Sequence, residues 1–312
     1  MPNPAPGASP TPHDRSIAPE ATWQDYSRYR FTDLRTAPFD VRAYSRMKFG
    51  SDLAARAFAY DMADRFFPRY RRALASPCVI IPAPSTTVAV AATMLSRHFM
   101  DRLNESLDQA GDPPVEWTLI HRNMTYNNNY AHLPRAERKG LLAGDRIYVN
   151  RDFVDGKTLI FVDDARITGA HEERLRDHLE TQGMPNPHVF VTLARYEGDD
   201  PSIECRLNRM EIKDARDLVA LAHEEGYQVT TRSLRLFLEA PADDFDDILC
   251  RAPARFREQA YHAAIVKGYN RHPPYALLFE KLKTSVRPTK EPANRRRPSV
   301  GQGHRADAGP SW

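Results

Sequence analysis

The chain has 312 residues, 41% of them hydrophobic and 27% charged, with a formal net charge of +3 at pH 7. This is the composition of a folded globular protein, and no apolar run approaches the roughly 18 residues that span a bilayer. The positive excess sits at one end: from Thr284 to Trp312 the chain carries a net +4 and the remainder −1, so nucleic-acid contact is expected only as a weak property of that tail.

In chain order, residues 1–20 ("MPNPAPGASPTPHDR…") read as a disordered, Pro-rich segment with none of the apolar core of a secretory signal. "GSDLAARAFAYDMADRFF" predicts an amphipathic helix capped by Ser51, with Ala54, Phe58, Met62 and Phe66 at four-residue spacing. "CVIIPAPS" predicts a short apolar strand ending in a Pro-rich turn. "TTVAVAATMLSRHFMDRL" predicts a helix whose first turn starts at Ser85, Thr86 or Thr87. "EWTLIHR" and "RIYVN" read as strands. Between them "NMTYNNNYAHLPRAERKGLLAGD" is long and polar and its first half has no packing face. "KTLIFVDD" reads as a strand, "GAHEERLRDHLETQG" as a helix closed by Gly183, and "HVFVTLARY" as a further strand. From Pro201 the pattern becomes mostly helical. Cys78, Cys205 and Cys250 are too few and too far apart for a metal site or a disulfide framework, and read as thiols in a reducing cytoplasm.

Strands alternating with helices predict an α/β fold with a mostly parallel sheet flanked by helices and a helical C-terminal extension. The expected organisation is an α/β domain over residues 21–200, a helical region over 201–283 and a disordered basic tail over 284–312. In such sheets ligands bind beyond the carboxyl ends of the strands. "IPAPSTT" and "DDARITGA" both fall at such ends.

"LIFVDDARITGA" runs an apolar strand straight into Asp163 and Asp164. Adjacent carboxylates repel and are costly to bury. The helix start near Thr168, Gly169 and Ala170 offers free backbone N–H groups that favour a phosphate. Two carboxylates are good acceptors for vicinal hydroxyls. Together they predict a sugar phosphate site, with diol on the aspartates and phosphate on the turn. A strand end with one capping and one exposed aspartate is the bland alternative.

The stretch resembles the signature of type I phosphoribosyltransferases: four apolar residues, two acids, then a Thr- and Gly-rich loop. The resemblance implies that Asp163 and Asp164 hold the ribose hydroxyls of phosphoribosyl pyrophosphate (PRPP). It implies that Ala165, Arg166, Thr168, Gly169, Ala170 and His171 form the 5′-phosphate loop. Ile167 and His171 stand where hydroxyl residues are usual. "VIIPAPSTTVAVAA" occupies the place of the family's pyrophosphate loop, which offers Ala83, Ser85, Thr86 and Thr87. The polar stretch before the signature strand occupies the place of a lid that brings Tyr130, Arg135, Arg138 and Lys139 to the pyrophosphate; Arg135 and Lys139 are the expected catalytic cations. Arg122, just past the "TLIH" strand, is a further cationic candidate for PRPP binding.

"YSRMKFGS" and "VTTRSLRLFL" narrow the resemblance to the bacterial phosphoribosyltransferases associated with tellurite-resistance (ter) stress operons. Tyr44, Arg46 and Lys48 read as a helix-leading surface turn, with entry into the site as the alternative. Phe31, Phe39, Tyr196 and Tyr227 are candidates to stack on an acceptor base, with core or surface packing as the commoner role of such rings. The implied reaction is phosphoribosyl transfer from PRPP, with Mg²⁺ carried by PRPP rather than held in a protein cage, to a nitrogen acceptor. The implied protein is cytoplasmic, with no membrane association, and a homodimer is compatible with the reading. A non-catalytic PRPP- or nucleotide-binding regulator is the alternative from a different class.

Overall fold

A computed structural model of the protein describes residues 25–84, 88–122, 147–200 and 202–286. It bears out the expected α/β fold. The described strands of the main sheet are β1 (Tyr26–Phe31), β2 (Cys78–Pro82), β3 (Glu116–Trp117), β6 (Thr158–Arg166) and β7 (His188–Tyr196). They pair in the order β1-β7-β6-β2-β3, every pair parallel. A separate antiparallel ribbon joins β4 (His121–Arg122) to β5 (Ile147–Tyr148). "EWTLIHR" is therefore two pieces rather than one strand. Thr118 still donates to the Ile80 carbonyl at 3.0 Å, and the chain then leaves the main sheet. Strand β1 was not anticipated. Its sequence, YSRYRF, alternates too weakly, and its place beside β7 is a tertiary pairing.

Period-two alternation sends the strand residues to two covers. Ile80, Ile160, Val162, Val189 and Val191 face a core shared with α1 (Val41–Lys48), α2 (Asp52–Leu74) and α3 (Ala91–Ala110). Val79, Ile81, Leu159, Phe161 and Phe190 face the opposite side, beneath α4 (Arg151–Val154) and α5 (Ala170–Thr181). The spacing Ala54, Phe58, Met62, Phe66 is buried as expected. Helix α2 runs past Pro68 to Leu74. The lost N–H costs one ladder bond, but Tyr70 and Leu74 continue the buried face and hold the helix together. Helix α3 starts later than expected, at Ala91, where the Thr93 hydroxyl accepts the Val90 N–H at 3.4 Å.

Toward the C-terminus lie α6 (Ile203–Asn208), α7 (Ala215–Leu221), α8 (Thr231–Leu238), α9 (Phe245–Arg251), α10 (Ala254–Val266) and α11 (Ala276–Val286). Ile203 and Leu207 pack into the sheet-side core. The later helices build a second core around Leu218, Leu234, Phe237, Phe245, Phe256 and Leu282, which also takes in Phe49. Helix α1 joins the two. Ser45, fully buried, donates to the Asn208 carbonyl at 2.7 Å and accepts the Glu211 N–H at 3.1 Å and the Ile212 N–H at 3.2 Å. Ser51 donates to Glu224, which also pairs with Arg46. Beside them Gly50 has φ +115°, and its carbonyl accepts the Gln228 N–H at 3.0 Å. No helix among the described residues is long and apolar enough to cross a membrane.

Candidate functional site

The strand order reverses between β6 and β2. From β2 the chain crosses through α3 to β3 on one side; from β6 it crosses through α5 to β7 on the other. Loops that diverge from adjacent parallel strands leave a crevice at their carboxyl ends. Strand β6 also outruns β2: Pro82 is opposite Val162, the Ala83 N–H reaches the Val162 carbonyl, and from Asp163 to Arg166 the paired neighbour is β7. The two aspartates therefore emerge where their strand has lost its β2 partner.

A cleft of about 430 Å³ opens there. Its walls bring together, from the expected residues, Ala83, Asp163, Asp164, Ala165, Arg166, Thr168, Gly169 and His171. Ala170 is exposed at the first turn of α5, and its N–H lies 3.4 Å from the Thr168 hydroxyl. Arg122 is in the β4–β5 ribbon by its backbone. Ser85, Thr86, Thr87, Tyr130, Arg135, Arg138 and Lys139 lie outside the described residues.

The same alternation that built the two cores parts the acids. Asp163 follows Phe161 toward α5, and Asp164 follows Val162 toward α1. Asp163 Oδ1 accepts the Asp164 N–H at 2.8 Å, and its Oδ2 lies 3.1 Å from His171 Nδ1. Asp164 is buried. Lys48 Nζ donates to both its oxygens, at 2.8 and 2.6 Å, and the Tyr44 hydroxyl donates to Oδ1 at 2.9 Å. An ionised carboxylate has about four acceptor positions. Each acid thus keeps room for at least one ligand hydroxyl.

The expected surface turn at Tyr44 and Lys48 is corrected here. These residues are one turn apart on α1, so both reach Asp164 from the same helix face. Tyr44 is fully buried and Lys48 lines the cleft. The signal was visible as a Tyr and a Lys four residues apart in a capped amphipathic stretch, but nothing local says that this face meets a strand 120 residues away.

Electrostatics differ between the acids. Burial by itself would raise Asp163, but the His171 hydrogen bond and charge, Lys48 and the Asp164 amide outweigh it and hold that carboxyl below its ordinary value. Burial pushes Asp164 above its ordinary value and Asp163 adds repulsion, while Lys48 and Tyr44 act against the rise. Burial, with the nearby Asp164, pushes the Tyr44 phenol well up.

Each acid lining the cleft has a basic partner. Beyond Asp163–His171 and Asp164–Lys48 there are Glu172–Arg166 at 2.5 Å and Glu204–Arg232 at 3.9 Å. Glu204 and Arg232 come from α6 and α8, and sequence reasoning singled out neither residue. Arg232 follows Thr231, whose N–H is held by the Ala89 carbonyl of the β2–α3 loop at 3.1 Å. Arg166 is committed to Glu172 and lies 3.6 Å from Asp25. Its guanidinium passes 3.1 Å from where a Cβ on Gly169 would stand, and Gly169 has φ +76°. Both facts call for glycine at the start of α5. Ile167, in place of the usual hydroxyl residue, packs against the sheet core.

The four aromatic candidates take the packing role rather than the stacking one. Phe31 meets Phe39 edge-on and Tyr196 at a tilt, and Tyr227 meets Phe256 at a tilt. All four are buried, and none lines the cleft. Cys78 is buried with its thiol pushed up to about 12, chiefly by burial, and Cys205 and Cys250 are exposed.

A search of curated proteins finds no significant match. Among solved structures the chain is similar to an asparagine mutant from an analysis of an invariant aspartic acid in HPRTs, with 16% identity, TM-score 0.31, and coverage of 47% of this chain and 71% of that one. It is also similar to a hypoxanthine phosphoribosyltransferase from Staphylococcus aureus, with 10% identity, TM-score 0.31, and coverage of 46% and 76%. The profile of the PRTase ComF-like family matches residues 22–280. With that span matched, and with a parallel sheet whose signature acids open into the switch-point cleft, the chain belongs to the PRTase ComF-like family, which is of phosphoribosyltransferase type.

Proposed function

We propose that the protein transfers the 5-phosphoribosyl group from PRPP to a nitrogen acceptor and releases pyrophosphate. The observation that carries this reading is the meeting, in one cleft, of Asp163 and Asp164 at a strand end with the Thr168–Gly169 turn that opens α5. Acids accept the ribose hydroxyls, and the free N–H groups of the helix start take the 5′-phosphate. The C1′–O bond to pyrophosphate breaks and its electron pair leaves with the pyrophosphate. The acceptor's lone pair forms the C1′–N bond, and an acceptor N–H proton passes to solvent. The ribose ring becomes cationic on the way, so carboxylates held on its hydroxyls stabilise that charge. Mg²⁺ bound by PRPP supplies neutralisation of the leaving group. PRPP itself would carry the ion; no group of three ligating side chains stands together among the described residues.

In this reading residues 21–200 carry the PRPP site and 201–283 cover its acceptor side through Glu204 and Arg232. The product is a ribonucleoside-type compound made under stress, as the ter association implies. The protein is cytoplasmic and forms a homodimer, and its basic tail touches nucleic acid weakly. Calorimetric titration with PRPP and Mg²⁺, followed by pyrophosphate release across a panel of nitrogen acceptors, tests it. No heat with PRPP or ribose 5-phosphate at millimolar concentration overturns it. A second reading, a PRPP- or nucleotide-binding regulator, is favoured by the pairing of each cleft acid with a protein base. Tight PRPP binding without pyrophosphate release under any acceptor would select it.

A further inference from the structure

Asp164 is an unusual carboxylate to find at the floor of a polyanion site. It is buried, it follows another carboxylate in sequence, and burial and that neighbour both oppose its charge. A group so placed loses its proton only if a cation is held against it. The groups facing it are few. From α1 come Lys48 Nζ, on both oxygens, and the Tyr44 hydroxyl, on Oδ1. From its own strand comes Asp163, which is itself tied to His171 of α5. On β7 the residue opposite Asp163 is Thr192, which carries no charge. Glu204 of α6 acts on Tyr44 as a further negative charge. Lys48 is thus the cation in direct contact with Asp164 among the described residues.

We propose that Lys48 is a positioning residue that keeps Asp164 ionised and aimed into the cleft, so that α1 sets the hydroxyl-accepting power of the site. This rests on the reading of the cleft as a ribose phosphate site. The geometry accounts for the division of labour on the Asp164 carboxylate. Lys48 spans both oxygens and Tyr44 fixes the plane from Oδ1, which leaves an acceptor position on Oδ2 for a ligand hydroxyl. A protonated Asp164 would present a donor there and lose that role. Lys48 is itself anchored from behind, because its carbonyl accepts the Thr230 hydroxyl at 3.3 Å. The residue therefore links the C-terminal helices to the charge state of the site. Its side chain is 12% exposed, so little solvent competes for its ammonium.

The test is a direct titration of the Asp164 carboxyl by ¹³C NMR, in the full chain and in Lys48→Met, Lys48→Gln and Lys48→Arg. An opposite charge at this range moves a carboxyl by about 1–3 pH units. The midpoint should rise by at least about one unit in Lys48→Met and stay near that of the parent in Lys48→Arg. Lys48→Gln keeps a hydrogen-bond donor without charge, and should behave as Lys48→Met; it also serves if the methionine variant does not fold. Ribose 5-phosphate affinity, measured by calorimetry at pH 6 and pH 8, should then weaken more on going to the lower pH in Lys48→Gln than in the parent. An unmoved Asp164 midpoint in both neutral variants overturns the proposal, whatever the binding data. A moved midpoint with no ribose 5-phosphate binding in any form, the parent included, upholds the Lys48–Asp164 relation and overturns the reading of the site.

Discussion

The Tyr44 hydroxyl donates to Asp164 Oδ1 at 2.9 Å across 120 residues of sequence. Both partners are buried, and the bond ties the first helix to the signature strand at the floor of the cleft. Tyr44→Phe removes one hydrogen bond to a charged group but keeps the ring and the Lys48 pair. It should cost about 1–3 kcal/mol of folding stability. Urea unfolding of the variant checks this; a loss under about 0.5 kcal/mol would mean that the bond is replaced by solvent.

The paired state of Asp164 changes what its removal should do. Adjacent carboxylates alone would predict that neutralising them leaves the fold untouched. Here Asp164→Ala strands a largely buried ammonium, and breaking such a pair costs about 3–5 kcal/mol. Asp163→Asn, at a more open position, should cost less. Comparing the melting curves of the two single variants separates them. Equal losses would contradict the burial difference.

The pH dependence of stability should carry two opposed contributions. Asp163 has a lowered folded pKa, so it adds stability above its ordinary value of 3.8, and this is lost as pH falls through the folded value. Asp164 has a raised folded pKa, so the folded state takes up its proton first, and stability from this group increases as pH falls toward 3.8. Asp163→Asn should therefore flatten the acid-side loss below 3.8, and Asp164→Asn should remove a gain just above it. Denaturation midpoints from pH 2 to 7, at about half-unit steps, read both slopes.

Gly50 makes a structural prediction. A Cβ there would overlap the Gln228 carbonyl and press on the Tyr227 ring, and φ is +115°. Gly50→Ala should destabilise by more than the ~1 kcal/mol of an ordinary left-handed substitution. It should do so by loosening the C-terminal helices from α1. Faster amide exchange around residues 227–238, with the sheet strands unchanged, is the expected signature; uniform loss of protection would argue for global unfolding instead.

Arg232→Ala tests the cover of the cleft. Arg232 is only loosely held by Glu204 and is 43% exposed. Its loss should leave the melting temperature within about 1 °C, because exposed pairs contribute little. In pyrophosphate-release assays KM for the acceptor should rise while PRPP affinity holds. An equal loss of PRPP affinity would move Arg232 to the phosphate end.

Much of this protein is written locally. The apolar run Leu159–Val162 determines a buried strand, Ser51 a helix start, and the Asp163–Ala170 stretch a strand end feeding a helix, because hydrophobic period and capping chemistry act within a few residues. The family signature lies in that same window. The tertiary structure decided what no window contains. The edge strand Tyr26–Phe31 exists because β7 offers it a ladder. Phe31, Phe39, Tyr196 and Tyr227 went to the cores because burying large rings outweighs leaving them at a polar cleft. Lys48, Glu204 and Arg232 joined the site because α1, α6 and α8 pack where β2 and β6 part. Charge pairing depends on distance through space, and the sequence separation of 116 between Lys48 and Asp164 hides that distance.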